Sequence, residues 1–156
     1  MATTTIGLVG AGTMGSGIAQ AGALSGYDVT MQDISDKQVA TGIKGITKSL
    51  ERLAAREKIS SDDQSSALAR IQGTTILEDL SECDVVIEAA TENIDLKIAV
   101  FGQLDELCKS DAILASNTSS LSITRLAAAT RRPDRVIGLH FFNPVPLMEL
   151  LEIIEH

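Results

Sequence analysis

The apolar, β-branched segment Thr5–Val9 runs directly into Gly10-Ala-Gly12-Thr-Met-Gly15. No other feature restricts what this chain can fold into as tightly. A strand that becomes a helix across three glycines at this spacing builds one unit of a parallel sheet, because each glycine answers a steric demand. Gly10 makes the tight turn, Gly12 lets a ligand approach the backbone, and Gly15 lets the helix pack close to the strand. The helix, expected to begin near Met14, presents free N–H groups and a positive dipole end to an anion. Gly10, Gly12, Thr13, Met14 and Gly15 are therefore expected to hold the pyrophosphate of a dinucleotide. Asp33 ends the next strand-like run, 18 residues beyond Gly15, where a carboxylate accepts both hydroxyls of the adenosine ribose. It would repel a 2′-phosphate, and no Arg follows closely, so NAD is expected over NADP. A ligand-free glycine turn beside a surface Asp is the bland alternative, and the strand-to-helix context speaks against it.

Further apolar runs fall at Tyr27–Met31, near Thr74–Leu77, and at Asp84–Glu88, Ala112–Ser116 and Val136–His140. Continuous rather than alternating apolar runs suit parallel strands buried on both faces. With helices between them, the expected fold is α/β, a doubly wound, mostly parallel sheet of the Rossmann type, formed by residues 1–156 as one domain. Aromatic residues make up only 3% of the chain, so Ile, Leu, Val and Ala must build the core. A polar insertion at about 36–72 predicts a helical hairpin after the second strand, joined near Ser60-Ser61-Asp62, with Ser61 as the second N-cap. In the last segment, Leu147 to Glu155, a Glu recurs at every third position. That spacing fits a helix face as well as a strand, and periodicity does not decide between them.

The net charge of −8 argues against nucleic-acid partners, which require positive charge to neutralise phosphates. No stretch approaches the ~18 apolar residues of a membrane span. The first basic residue is Lys37, so no secretory signal is expected. Cys83 and Cys108 lie 25 residues apart, without metal-binding spacing, and reduced thiols in a soluble, cytoplasmic protein without a metal site are expected.

Two distal motifs, Ser116-Asn-Thr-Ser-Ser120 and His140-Phe-Phe-Asn-Pro-Val-Pro146, stand with the glycine loop and with Glu152, twelve residues after the His. Together they resemble the short-chain L-3-hydroxyacyl-CoA dehydrogenases, including bacterial 3-hydroxybutyryl-CoA dehydrogenases. The resemblance implies NAD-dependent oxidation of a (S)-3-hydroxyacyl-CoA to the 3-oxoacyl-CoA, or the reverse reduction of acetoacetyl-CoA, in short-chain fatty-acid metabolism. It implies that His140 takes the proton of the 3-hydroxyl and that Glu152 orients it. Ser119 and Asn143 are then expected at the substrate oxygen or the nicotinamide end, Glu92 and Lys97 near the cofactor, and Lys97, Ser49 and Arg56 near CoA. It also implies a further all-helical domain, beyond these residues, that forms most of a homodimer interface and part of the substrate pocket. The 156 residues alone are then expected to bind NAD and to be weakly active or inactive. The residues bear on Glu152 independently. If the tail is a strand, Glu152 shares a face with Leu150 and Ile154, and a carboxylate among apolar neighbours requires a partner. That consideration favours a strand. The bland alternatives are a satisfied core histidine and a solvated glutamate in a helical tail.

Lys37, Lys44, Lys48, Arg52, Arg56 and Lys58 fall within a face of about 160° at 100° per residue, opposite Val39, Ile43, Ile46, Leu50 and Leu53. Six basic and two acidic side chains over residues 37–58 stand out in so acidic a chain. A positive stripe suits a polyanion such as CoA, and Lys44, Lys48, Arg52 and Arg56 are candidate contacts. A solvated charged face explains the stripe equally well. Two rival functions share the scaffold. A 3-hydroxyisobutyrate-type dehydrogenase has a Gly-x-Gly-x-Met-Gly loop, but it uses a catalytic Lys and lacks the His-Phe-Phe-Asn-Pro segment. A non-catalytic NAD-binding or structural protein would not need His140, Glu152, Ser119 and Asn143 together.

Overall fold

In the computed structural model, which describes residues 3–156, the strands are β1 (Thr5–Val9), β2 (Asp28–Gln32), β3 (Ile71–Thr74), β4 (Val85–Glu88), β5 (Ile113–Ser116), β6 (Val136–Phe141) and β7 (Leu151–Ile154). The helices are α1 (Thr13–Leu24), α2 (Asp36–Ala55), α3 (Ser61–Ala69), α4 (Ile94–Leu107) and α5 (Ile123–Ala128). All seven strands form one sheet in the order β3-β2-β1-β4-β5-β6-β7. Every pairing is parallel except β6 with β7. The chain leaves β1 for β2 on one side and returns to β4 on the other, which opens a crevice at the carboxyl ends of β1 and β4.

Both faces of the sheet are covered, as continuous apolar strands require. Leu8, Met31, Ile46 and Leu50 pack under α1, α2 and α3, and Val86, Phe101, Leu104, Leu114 and Leu126 pack under α4 and α5. Each such side chain contributes about 1.5–3 kcal/mol when fully buried. Side-chain caps start four helices: Ser35, Ser60, Asn93 and Ser122 each accept the N–H three residues on.

Three expectations are corrected here. The second hairpin helix is capped by Ser60, not Ser61, because Asp63 reaches back to the Ser60 N–H and completes a capping box. The third strand is Ile71–Thr74, upstream of the apolar residues near Leu77, which lie in a 3₁₀ turn. As an edge strand it is placed by its ladder to β2, Val29 to Ile71 and Gln32 to Thr74, rather than by an apolar run. The basic stripe ends with α2. Glu57 adopts φ 56°, and the Lys58 N–H returns to the Leu53 carbonyl, turning Lys58 off the helix.

The ambiguous tail is a strand. β7 pairs antiparallel with β6, and the register sets His140 directly opposite Glu152.

Candidate cofactor and active site

At the crevice, Gly10 holds φ 111°, and its N–H donates to the Gln32 carbonyl at 2.7 Å. A Cβ on Gly15 would stand 1.9 Å from the Gly10 carbonyl oxygen, so only glycine lets α1 begin this close to β1. At Gly12, by contrast, a Cβ would meet nothing within 4 Å. Gly12 is also the N-cap of α1, with no side-chain cap and no acidic residue in the first turn. The backbone at Gly12 is therefore open at the start of the helix, with Thr13 and Met14 following it. An open glycine approach to an uncapped, unopposed helix start fits a pyrophosphate. Asp33 stands alongside, its Oδ2 accepting the Ala11 N–H at 3.0 Å. A cavity of about 320 Å³ runs from Gly10, Gly12 and Asp33 to Ile34, Ala90 and Leu96, spanning the crevice from β2 to β4.

His140, near the carboxyl end of β6, places Nδ1 3.2 Å from Glu152 Oε2. Among the described residues its Nε2 makes no hydrogen bond. The Phe142 ring lies 4.5 Å away, tilted by 51°. The pair forms, but the burial argued for Glu152 does not hold: its side chain is 52% exposed against 20% for His140. The strand register, not an apolar enclosure, brings the two together.

Ser119 follows β5 and Asn143 follows β6, both exposed at the same sheet edge as His140. The intervening polar residues hold these segments. Asn117 Oδ1 accepts the Phe141 N–H at 2.8 Å, and Thr118 Oγ1 donates to Glu92 Oε2 at 2.7 Å while accepting the Leu121 N–H at 3.0 Å. Asn117 and Thr118 were not singled out from the sequence, although they sit inside the Ser-Asn-Thr-Ser-Ser run that was.

Lys97, expected near the cofactor and CoA, is held by a buried ion pair beside the crevice. It is 1% exposed and donates to Glu88 Oε2 at 2.6 Å and to the Ala90 carbonyl at 3.3 Å, with Glu92 Oε1 at 3.8 Å. Glu88, itself fully buried, also accepts Ser116 Oγ and the Ala90 N–H, each at 2.7 Å. The ammonium is held inside the protein, between the end of β4 and the start of α4. Only the end of the basic stripe lines a groove: Ser49, Arg52 and Arg56 face Pro144, Pro146 and Leu147 across about 300 Å³. Lys44 and Lys48 are exposed and line neither this groove nor the cavity beside it.

Cys83 and Cys108 are buried and unpaired, and burial pushes the Cys83 thiol up to about 11, which removes it from reactive chemistry at neutral pH. Among the described residues no cluster of His, Cys, Asp or Glu could hold a metal, and no helix is long and apolar enough to cross a membrane.

The family described as 3-hydroxyacyl-CoA dehydrogenase, NAD binding domain, matches residues 5–156. A 3-hydroxybutyryl-CoA dehydrogenase of Bradyrhizobium diazoefficiens is 48% identical over 149 residues, covering 96% of this chain and 51% of that protein. One from Clostridioides difficile is 46% identical, with 96% and 53% covered. Among solved structures, (S)-3-hydroxybutyryl-CoA dehydrogenase from Ralstonia eutropha superposes with a TM-score of 0.95 at 55% identity, over 99% of this chain and 54% of that one. The chain thus spans about half the length of the relatives it matches. A glycine-built dinucleotide crevice, a paired His and Glu on the last two strands, and a family match over nearly every residue converge: this chain belongs to the 3-hydroxyacyl-CoA dehydrogenase family, as its NAD-binding domain.

Proposed function

We propose that this chain is the cofactor-binding half of an NAD-dependent dehydrogenase that interconverts (S)-3-hydroxyacyl-CoA and 3-oxoacyl-CoA, with a short-chain substrate such as acetoacetyl-CoA in the reductive direction. The observation that carries the reading is the contact between His140 Nδ1 and Glu152 Oε2 at 3.2 Å. A carboxylate on Nδ1 fixes that nitrogen as the donor and leaves Nε2 as the base. His140 Nε2 takes the 3-hydroxyl proton as that carbon becomes a carbonyl, and Glu152 stabilises the imidazolium that results. Ser119 and Asn143 orient the substrate oxygen and the nicotinamide end. Gly10, Gly12, Thr13, Met14, Gly15 and Asp33 hold the adenosine diphosphate portion of NAD, and Glu92 and Lys97 lie near the cofactor. When bound, NAD supplies the hydride acceptor. Ser49, Arg52 and Arg56 receive the CoA phosphates. The rest of the enzyme, in this reading, is an all-helical domain that completes the acyl pocket and makes a homodimer.

The test joins residues 1–156 to the C-terminal half of the Ralstonia eutropha enzyme and follows NADH consumption with acetoacetyl-CoA. The chimera should turn over, and His140→Gln should lower kcat about 10²–10⁴-fold while NADH affinity stays within about twofold. A folded chimera that binds NADH without turnover, or a His140→Gln variant with normal kcat, overturns the reading.

A further inference from the structure

Four of the seven buried polar or charged side chains among the described residues, Glu88, Lys97, Ser116 and Thr118, gather at the carboxyl ends of β4 and β5. The strand register brings the first two partners together. Glu88 and Ser116 stand opposite each other on adjacent strands, so their side chains share one face of the sheet. A carboxylate or hydroxyl taken out of water there is costly unless it is hydrogen-bonded. Both are. Glu88 Oε1 accepts Ser116 Oγ and Glu88 Oε2 accepts the Ala90 N–H, each at 2.7 Å, and Ser116 Oγ in turn accepts the Thr118 N–H at 3.2 Å. A fully partnered buried network holds the groups that it joins in one arrangement.

The two ends of this relay lie in different parts of the site. Ala90, with Ala89 and Thr91, lines the same cavity as Gly12 and Asp33. Thr118 immediately precedes the exposed Ser119. A second link joins the two segments, from Thr118 Oγ1 to Glu92 Oε2 at 2.7 Å, but the Glu92 side chain is 48% exposed and water competes for it. The link through Ser116, which is fully buried, is dry and therefore the stiffer of the two. We propose that Ser116 is a positioning residue for the dehydrogenase reaction, its hydroxyl carrying the constraint from the cofactor-lining Ala90, through Glu88, to the segment that presents Ser119. The inference rests on the assignment above of the dinucleotide to the crevice and of Ser119 to the reacting end. It goes beyond that assignment by naming a residue that touches neither ligand. Occupancy of the crevice by the adenosine diphosphate portion alone then settles Ser119.

ADP is the probe that separates this relay from direct contact, because it lacks the nicotinamide half that meets Ser119 in the proposed function. The experiment titrates the 156-residue protein with ADP and follows backbone amides by ¹⁵N NMR. In the unaltered protein ADP should shift both the Ala90 and the Ser119 amides. Ser116→Ala removes a single buried oxygen, and in this variant the Ala90 shift should persist while the Ser119 shift is lost. In the chimera described above, Ser116→Ala should lower kcat roughly 10–100-fold, the scale of a small misplacement of a reacting group. Its NADH affinity should stay within about twofold. Val29→Ala is the control for lost stability alone. Val29 is buried near the amino end of β2, away from the carboxyl edge that carries the site, so this variant should lower the unfolding midpoint comparably and leave kcat unchanged. If Ser119 follows ADP equally well in Ser116→Ala, or if Ser116→Ala slows turnover no more than Val29→Ala does, the positioning role is wrong and the functional reading survives. If ADP leaves the Ala90 amide still and the chimera neither binds NADH nor turns over, both are wrong.

Discussion

Replacing Lys97 with Met tests whether this residue acts through the interior. Lys97 is 1% exposed and Glu88 fully buried, so water cannot compensate for the loss of either charge. Met keeps most of the aliphatic volume but leaves Glu88 with only Ser116 Oγ and the Ala90 N–H as donors. Removing one partner of a buried ion pair costs about 3–5 kcal/mol. At about 2–4 °C per kcal/mol for a domain of this size, the midpoint should fall by roughly 6–20 °C. Urea unfolding followed by circular dichroism reads the same loss as a lower transition midpoint at constant m. Adding Glu88→Gln should recover about half or more of it, since the amide oxygen still accepts one of the two donors and no buried charge remains unpaired. A single-variant loss below about 1 kcal/mol would falsify the buried-pair account. So would a double variant as unstable as the two single losses combined.

Three further outcomes follow from distances already given. Gly12→Ala, whose Cβ meets nothing, should leave thermal unfolding nearly unchanged yet weaken NADH in a fluorescence titration, whereas Gly15→Ala, with its Cβ 1.9 Å from the Gly10 oxygen, should lower both; equal effects on stability would contradict the steric reading. Asp33→Ala should weaken NADH and narrow its preference over NADPH, and tighter NADPH binding by the unaltered protein would reverse the cofactor assignment. Asp84 is held down to about 2, chiefly by the hydrogen bond from Lys109 and then by the Thr5 N–H at 2.7 Å. The unfolded chain, with a carboxyl near 3.9, binds that proton more tightly, so the contribution is whole above about pH 5 and disappears as pH falls toward 2. Asp84→Asn should therefore lower the plateau of a stability–pH profile above about pH 5 and flatten its acid limb, so that the two proteins converge toward pH 2, and an unchanged acid limb would remove Asp84 from the account.

Sequence was most informative where a local constraint admits one solution. The glycine spacing after β1, the continuous apolar runs and the stop near Ser60 each depend on neighbouring residues, and their structural counterparts lie within a residue or two. β3 was misplaced because an edge strand takes its position from its partner's ladder, which no run in its own sequence records. The α2 stripe was read as one face, but helical angle alone does not reveal which part of that face meets another segment. Of the stripe, Arg52 and Arg56 line a groove with the loop that follows β6, and Lys44 and Lys48 do not. Lys97 shows the same limit more sharply. Lys44 and Lys97 look alike in sequence, yet one is exposed and the other is buried on Glu88, nine residues away in sequence but across the β4–α4 connection. The sequence signal that existed was Glu88 itself, a carboxylate closing the apolar run Asp84–Glu88 that reads as a buried strand.

The His140–Glu152 pair, as it stands, is weaker than its proposed role demands. With the Glu152 side chain 52% exposed, water and salt screen the contact, and exposed pairs of this kind contribute about 0–1 kcal/mol. A base that must hold one tautomer and then carry a positive charge gains more from the same carboxylate under a dry cover, where the effective dielectric is lower. The surroundings suit such a cover. Leu150 and Ile154, on the same strand face as Glu152, are 55% and 37% exposed. The register of β6 and β7 therefore sets the geometry of the pair within these residues, while its strength depends on what excludes water from that surface. Under the proposed function this separates two quantities that a single assay would merge. NADH affinity, built in the β1–α1 crevice, should be nearly the same in the 156-residue protein and in the chimera. Turnover, which needs the covered pair, should rise steeply in the chimera alone. Equal turnover in both would mean that the exposed pair suffices and that the cover contributes nothing to the chemistry.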